Sequence, residues 1–156
     1  IRGLKSFAGI KRRFETHCKY SQKIYIDDYA HHPTELIAFL GSVQEMYPSR
    51  KITGIFQPHL YTRTRDFVNE FAIALSVLDE VLLLDIYPAR ELSLEGVTSE
   101  WLLNKIKSSS KKVVSKSEAI RKATTDSNEI ILTMGAGDID QIVEPIKIAI
   151  DERYGN

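Results

Sequence analysis

Apolar and polar positions change period along the chain, and the pattern predicts strands that alternate with helices. Short apolar or alternating runs predict strands at 12–20, 23–27, 51–56, 80–86, 112–115 and 129–133. Apolar positions three or four residues apart predict helices at 34–46, around Phe67, Phe71 and Leu75, at about 98–107 and at 118–124. A last helix is predicted just after Gly137, because Asp138 and Gln141 have the spacing of a capping box.

The first two predicted strands are separated only by Ser21 and Gln22, which indicates a hairpin. The later strands each follow a helix, and residues 81–84 are apolar throughout, as in strands buried on both faces. We therefore predict an α/β fold with a mostly parallel sheet, helices on both faces and an N-terminal β-hairpin at the edge.

Composition narrows the class of protein. A chain of 156 residues, 43% hydrophobic and 27% charged, fits a single domain over residues 1–156. Twenty-one basic residues balance twenty-one acidic ones, so no nucleic-acid partner is expected. No apolar stretch reaches the ~20 residues of a membrane span, and the single Cys18 cannot form an internal disulfide. We expect a cytoplasmic protein without a membrane partner, and the start at Ile1 indicates a piece of a longer chain.

The stretch from Asp27 to Glu35 carries two aspartates, a tyrosine and two histidines between a predicted strand and a predicted helix. Ligands of open α/β sheets bind at such carboxyl ends of strands. Asp28 could accept hydrogen bonds from ribose hydroxyls or join an ion shell, and His31 could bond to a ligand. The alternative is that the aspartates cap the helix and both histidines are solvated.

A second cluster, from Phe56 to Arg65, also follows a predicted strand and precedes a predicted helix. Arg63 or Arg65 could bind a carboxylate or phosphate through paired hydrogen bonds. Cations in a first helical turn would oppose the helix dipole, which favours an anionic partner there. The alternative is a solvated first turn.

Other motifs give weaker signals. Gly135-Ala136-Gly137 matches a dinucleotide fingerprint poorly and is interpreted as a close-approach loop on the rim of the same cleft, and the chain has no G-x-x-x-x-G-K-[ST] phosphate loop. His17 and Cys18 are neighbours on a strand, so their side chains should point to opposite faces and cannot share a metal. No metal ligand is predicted.

Five motifs together resemble the C-terminal domain of the Mur ligase family: GIKRRFE, DDYAHHPTE, FQPHLYTRT, DIYPARE and MGAGDI. FQPHLYTRT is most similar to the alanine-adding branch. The resemblance implies a Rossmann-like C-terminal domain of a three-domain ligase in peptidoglycan synthesis. For the alanine-adding branch, the resemblance implies that ATP phosphorylates the carboxylate of UDP-N-acetylmuramate and that the amine of L-alanine attacks the acyl phosphate. The resemblance implies that Mg²⁺ is held mostly by the central domain, so this chain should bind no ion tightly. The isolated chain should also be inactive, because it lacks the phosphate loop and the sugar-nucleotide pocket.

The resemblance also implies roles for five residues. Arg13 would reach the ATP phosphates, and Asp28 would bind the ribose or the phosphate region. Tyr29 and His31 would line the amino-acid pocket, and Arg63 would hold the amino acid's carboxylate. No catalytic residue is assigned. Many relatives carry a further arginine where Leu60 stands here, so Arg63 is the one residue expected to bind the carboxylate. Relatives also often have glycine where Arg90 stands here.

Two other functions stay open on the residues alone. One is a stand-alone nucleotide-binding or regulatory module with this fold. The other is a two-metal phosphohydrolase built from the aspartate and histidine pairs. A phosphate loop encoded upstream of Ile1 would favour the ligase over the module, and metal analysis would identify the phosphohydrolase.

Overall fold

The computed structural model describes residues 11–125, 127 and 129–155. The first two residues of the GIKRRFE run lie outside this part. Within it, six strands form one sheet: β1 (Glu15–Lys19), β2 (Ile24–Asp28), β3 (Ile52–Phe56), β4 (Glu80–Leu83), β5 (Ser110–Val113) and β6 (Ile130–Met134). Six α-helices accompany it: α1 (Pro33–Met46), α2 (Tyr61–Asp66), α3 (Val68–Leu75), α4 (Ser99–Lys105), α5 (Lys116–Ala123) and α6 (Val143–Tyr154).

The strand order is β1-β2-β6-β3-β4-β5. Only the β1–β2 pair is antiparallel, and the other four pairings are parallel. The predicted class is therefore confirmed: a mostly parallel α/β sheet with the N-terminal hairpin at its edge. After β5 the chain passes back over β4 and β3 to reach β6. The connections that follow β6 and β3, which are neighbours in the sheet, therefore run over opposite faces. In open α/β sheets such a change of direction opens a crevice at the carboxyl edge.

Both faces of the sheet are covered. Alternate residues of each strand enter two separate apolar cores, because side chains alternate across a strand. One core joins Ile24 and Ile26 to α1, α3 and α4, and the other joins Tyr25 to α5 and α6. No helix in the described ranges is both long and apolar enough to cross a bilayer.

Two details of the helices differ from the predictions. The sequence predicts a connection before α3, yet this segment forms the separate helix α2, and Phe67 breaks the path between the two helices with φ −117° and ψ 23°. The last helix does not begin at Asp138. Residues Asp138–Ile142 form a 3-10 turn and α6 starts at Val143. The predicted capping box is absent because the Asp138 carboxylate accepts a hydrogen bond from Gln57 Nε2 (2.7 Å) and pairs with Lys116 (2.6 Å).

A β-bulge in β1 corrects the prediction for His17 and Cys18. Thr16 pairs with Ile26 and Cys18 with Tyr25, so His17 is the extra residue. His17 stacks on Tyr25 with ring centroids 5.2 Å apart, and Cys18 belongs to the same core as Tyr25. Both side chains therefore lie on one face, because the bulge interrupts the alternation on which the prediction depended.

Candidate functional site

Six side chains from four separate segments meet at the carboxyl edge of the sheet, and we call them the edge cluster. They come from the start of the β1 hairpin, from the β2–α1 junction, from the segment after β3 and from the loop after β4. Because β1 is antiparallel to β2, its amino end lies at the same edge as the carboxyl ends of the other strands. The members are Arg13, Tyr29, His31, His59, Arg63 and Tyr87.

The cluster is continuous from side chain to side chain. The Arg13 guanidinium lies 5.9 Å from the Tyr29 ring centre, and Tyr29 and His31 have centroids 5.2 Å apart. His31 is 6.0 Å from His59, whose Nδ1 is 3.2 Å from an Arg63 guanidinium nitrogen. Four of the five residues implied by the resemblance, all but Asp28, thus belong to one surface.

Helix α1 begins with a capping box that fixes the DDYAHHPTE segment. The N-cap is His32, whose Nδ1 accepts from Thr34 N at 3.4 Å. Glu35 in return accepts from the backbone amides of His31 (3.0 Å) and His32 (3.2 Å). His32 also packs its ring on Phe67, at 4.8 Å. The cap is therefore a histidine and a glutamate, so the alternative in which the aspartates cap this helix is wrong.

The two aspartates bind the protein itself. Asp27 is fully buried, and its carboxylate accepts hydrogen bonds from Arg12 Nε (2.8 Å) and from Thr133 Oγ1 (2.6 Å). Asp28 is 7% exposed, and each of its oxygens accepts a backbone amide, from Phe14 at 2.7 Å and from Ala30 at 2.8 Å. Neither carboxylate is free to form the ion shell of a two-metal site.

The position of Arg63 depends on Leu60 and the loop after β4. Leu60 takes φ 72°, which is rare for a bulky residue, and its amide donates to Tyr87 O at 2.9 Å. The helix that follows has no cap of its own. Glu91 supplies one by accepting from the Thr62 amide (3.0 Å) and from the Thr62 hydroxyl. These bonds hold the pKa of Glu91 below its usual range.

The dipole argument from the sequence was wrong for Arg63 and Arg65. Both lie in the last turn of α2, where the helix dipole favours cations. Arg65 pairs with its neighbour Asp66 at 2.7 Å, whereas Arg63 turns back to His59. The case for an anion at Arg63 therefore depends on its neighbours in the edge cluster and not on the helix dipole.

The site residues predicted from the sequence do not include His59. Its ring stacks on Tyr87 with centroids 5.6 Å apart and an interplanar angle of 22°. Partial burial and the positive charge of Arg63 lower the pKa of His59 below its ordinary value. A neutral ring can accept a hydrogen bond at Nδ1, which is the geometry that Arg63 uses. The i, i+4 spacing of His59 and Arg63 was the signal available in the sequence.

The glycine loop closes the back of the cleft. Gly135 has φ 141°, and a Cβ on Gly137 would overlap Gln57 Oε1 and lie 2.6 Å from Tyr87 Cβ. Gln57 bridges this loop, since its amide donates to Asp138 and accepts from Ile139 N (2.8 Å). The prediction of a close-approach loop on the rim is confirmed. Beside it, a cavity of about 480 Å³ opens between the ends of β4 and β5, with Tyr87 in its wall.

One group of possible metal ligands is found among the described residues: Glu15, His17 and Asp27, with donor atoms within 4.8 Å of one another. Asp27 is already paired with Arg12, and Glu15 accepts from the Arg12 amide at 2.7 Å. These bonds assign the two carboxylates to holding Arg12. Glu15 and Asp27 lie beside the β1 bulge at His17 and do not belong to the edge cluster.

Comparisons with known proteins identify the family of this chain. The family model described as "Mur ligase, glutamate ligase domain" matches residues 12–137. A UDP-N-acetylmuramate–L-alanine ligase of Cytophaga hutchinsonii is 52% identical over 152 residues, which are 97% of this chain and 33% of that protein. The corresponding ligase of Porphyromonas gingivalis is 51% identical over 146 residues, 93% of this chain and 32% of that protein. The chain therefore spans about a third of the length of these relatives.

Solved structures give the same picture of the fold. The crystal structure of UDP-N-acetylmuramate-alanine ligase from Thermotoga maritima superposes with a TM-score of 0.71 and 28% identity, covering 99% of this chain and 32% of that one. A murein peptide ligase from Psychrobacter arcticus has a TM-score of 0.71 and 23% identity, over 96% of this chain and 32% of that one. At that identity the second likeness concerns the fold alone.

Proposed function

Because the chain belongs to the Mur ligase family, we propose that it is the C-terminal domain of an ATP-dependent ligase that joins L-alanine to UDP-N-acetylmuramate. The reaction would proceed through an acyl phosphate in the cytoplasm and supply peptidoglycan synthesis. The domains that hold the sugar nucleotide and the phosphate loop would precede this chain. Relatives three times as long that carry this name support that arrangement.

The observation that carries the proposal is the continuity of the edge cluster. Arg63 presents a guanidinium at one end, and Arg13, whose side chain is 53% exposed, presents another near Tyr29. An amide-forming ligase needs both: one cation for the carboxylate of the amino acid and one for phosphate oxygens. The imidazoles and the phenol between them would line the pocket in which the amine meets the acyl phosphate.

In this proposal the chain binds and orients, and the chemistry of phosphoryl transfer comes from bound ATP and Mg²⁺. The guanidinium groups of Arg12 and Arg13 both lie near the Tyr29 ring, and such donors fit phosphate oxygens. The nearby carboxylate of Asp28 is occupied by amides, so the ion that accompanies ATP would be held by the central domain. Arg63 would fix the alanine carboxylate and thereby place the amine for attack.

Substitution of Arg63 tests the proposal in the full-length ligase. Arg63→Ala removes a charge-assisted pair of about 1.5–3 kcal/mol, so the KM for alanine should rise roughly ten- to a hundredfold. The KM for ATP should change far less, because Arg13 and not Arg63 would face the phosphates. Steady-state kinetics with each substrate varied in turn would measure both.

Arg65→Ala is the matched control. It removes the same side chain two residues away, from an arginine that is 51% exposed and paired with Asp66. The control should leave both KM values within about twofold. Equal rises in the KM for alanine and for ATP in Arg63→Ala would contradict the assignment of Arg63. No alanine-dependent ATP turnover by the unsubstituted full-length protein would contradict the proposed function itself.

A further inference from the structure

The backbone that carries Arg13 is unusual on both sides of this residue. Arg12 has φ 56° and Phe14 has φ 47°, so both lie in the left-handed region that bulky L-residues seldom take. Such conformations persist only where surrounding contacts impose them, and they occur often at ligand sites. The contacts that impose this one come from the two consecutive aspartates at the end of β2.

Asp28 fixes the residue after Arg13. Its Oδ2 accepts the Phe14 amide at 2.7 Å and its Oδ1 accepts the Ala30 amide at 2.8 Å. With 7% of its surface exposed, the carboxylate faces the chain's own backbone. The Phe14 ring is also held, by an edge-to-face contact with Phe39 at 5.4 Å.

Asp27 fixes the residue before Arg13. It pairs with Arg12 Nε at 2.8 Å, and the same guanidinium donates to Gly135 O, just after β6, at 2.7 Å. The Arg12 carbonyl accepts the Tyr29 amide at 2.7 Å. Between these two fixed residues, the Arg13 side chain stays 53% exposed, and its guanidinium lies 3.9 Å from the Glu35 carboxylate.

We infer that Asp28 is a positioning residue, which presents Arg13 to the phosphates of the nucleotide by holding the Phe14 amide. This inference depends on the proposed function for the identity of the ligand, and it adds a positioning role to the one that the resemblance implies for Asp28. Loss of the carboxylate would relax the strained turn and let the Arg13 guanidinium move away from the position that the turn imposes.

A double-mutant cycle in the full-length ligase tests whether Asp28 acts through Arg13. Asp28→Asn replaces one accepting oxygen by an amino group that opposes a backbone N–H, and kcat/KM for ATP should fall about ten- to a hundredfold. In an Arg13→Ala background the same substitution should cost no more than about twofold, because the group it positions is already gone. Asp66→Asn, an equivalent change at a surface aspartate, should leave kcat/KM unchanged.

Nucleotide analogues separate positioning from ribose binding. Asp28→Asn should still reduce kcat/KM about ten- to a hundredfold with 2′,3′-dideoxy-ATP, because the positioning of Arg13 does not depend on the ribose hydroxyls. If the substitution instead leaves kcat/KM for the dideoxy analogue unchanged, Asp28 acts only through the ribose and the inference is wrong. An equal cost of Asp28→Asn in the presence and absence of Arg13 would overturn it as well.

The unsubstituted chain provides a test that needs neither a variant nor activity. The amides of Phe14 and Ala30 should be protected from hydrogen exchange, while the neighbouring Arg13 amide, for which no hydrogen bond is found in the described part of the chain, should exchange faster. Rapid exchange of Phe14 would overturn the positioning role even if the full-length protein is an alanine ligase. Protection of Phe14 without ligase activity would leave the turn as described and contradict only the proposed function.

Discussion

His59 shows how one side chain sets the state of another in the edge cluster. The ring is stacked on Tyr87 and accepts a hydrogen bond from Arg63 at 3.2 Å. Its lowered pKa keeps it neutral at physiological pH, so Nδ1 stays available as an acceptor. At this scale the direction of the Arg63 guanidinium depends on the protonation of its neighbour.

His59→Phe should weaken alanine binding while leaving the stack intact. Phenylalanine can still pack on Tyr87 but cannot accept a hydrogen bond from Arg63. The KM for alanine in the full-length ligase should rise about two- to tenfold, as for a net hydrogen bond of about 0.5–1.5 kcal/mol. His59→Asn, which keeps an acceptor, should recover part of the loss, and a smaller effect of Phe than of Asn would contradict this role.

The pH dependence should follow from the same bond. The pKa of His59 is lowered, so its neutral form persists below the ordinary histidine range and is lost only as the pH falls further. Protonation removes the acceptor and places a second cation beside Arg63. The KM for alanine should therefore rise at acidic pH in the unsubstituted enzyme, and the acid limb of this profile should disappear in His59→Phe.

At the scale of elements, two glycines have opposite structural settings. Gly137 approaches Gln57 and Tyr87 so closely that a Cβ has no room, whereas Gly41 lies in the middle of α1, where a Cβ would have no atom within 4 Å. The first glycine allows the loop after β6 to reach the cleft. The second leaves a helix interior more flexible than it needs to be.

Alanine substitutions at these two positions should change stability in opposite directions. Gly137→Ala should lower the free energy of unfolding by about 1–3 kcal/mol through overpacking. Gly41→Ala should raise it by about 0.5–1 kcal/mol, the usual gain over glycine inside a helix. Urea denaturation of the chain measures both, and a stable Gly137→Ala variant would mean that the loop does not pack on Gln57 as described.

At the scale of the whole molecule, Cys18 lies where the N-terminal hairpin packs against α6. Its thiol is 4% exposed and lies 3.2 Å from the Asp151 carboxylate of α6. Burial, with Asp151, raises the pKa of Cys18 to about 12. Tyr20 donates to the same carboxylate at 2.7 Å, so β1 is held against α6 from two positions.

Cys18 should resist alkylation until the molecule opens. The reactive thiolate is scarce at pH 8 and the sulfur is covered, so iodoacetamide should label the native chain on the order of a thousandfold more slowly than the urea-unfolded chain. Mass spectrometry after timed quenching measures the rate. Labelling at similar rates in both states would show that α6 does not cover the hairpin in solution.

The sequence by itself was sufficient for the alternation of elements and the fold class. Helices and strands follow from local periodicity, which side-chain burial imposes on any chain. Apart from shifted strand ends, the errors lie where tertiary contacts outweigh this periodicity. The bulge at His17, the break at Phe67 and the 3-10 turn at Asp138 are such places. Motif resemblance also named four of the six residues that meet at the sheet edge.

Only the tertiary structure decided what those residues contact. Sequence spacing places Asp28 and Arg63 at strand ends, but it does not reveal that the Asp28 carboxylate is occupied by two amides or that Arg63 bonds to His59. These contacts join segments that are distant in the chain or depend on strained backbone at Arg12, Phe14 and Leu60. Local propensity disfavours such conformations, so the packing of the whole sheet edge has to impose them.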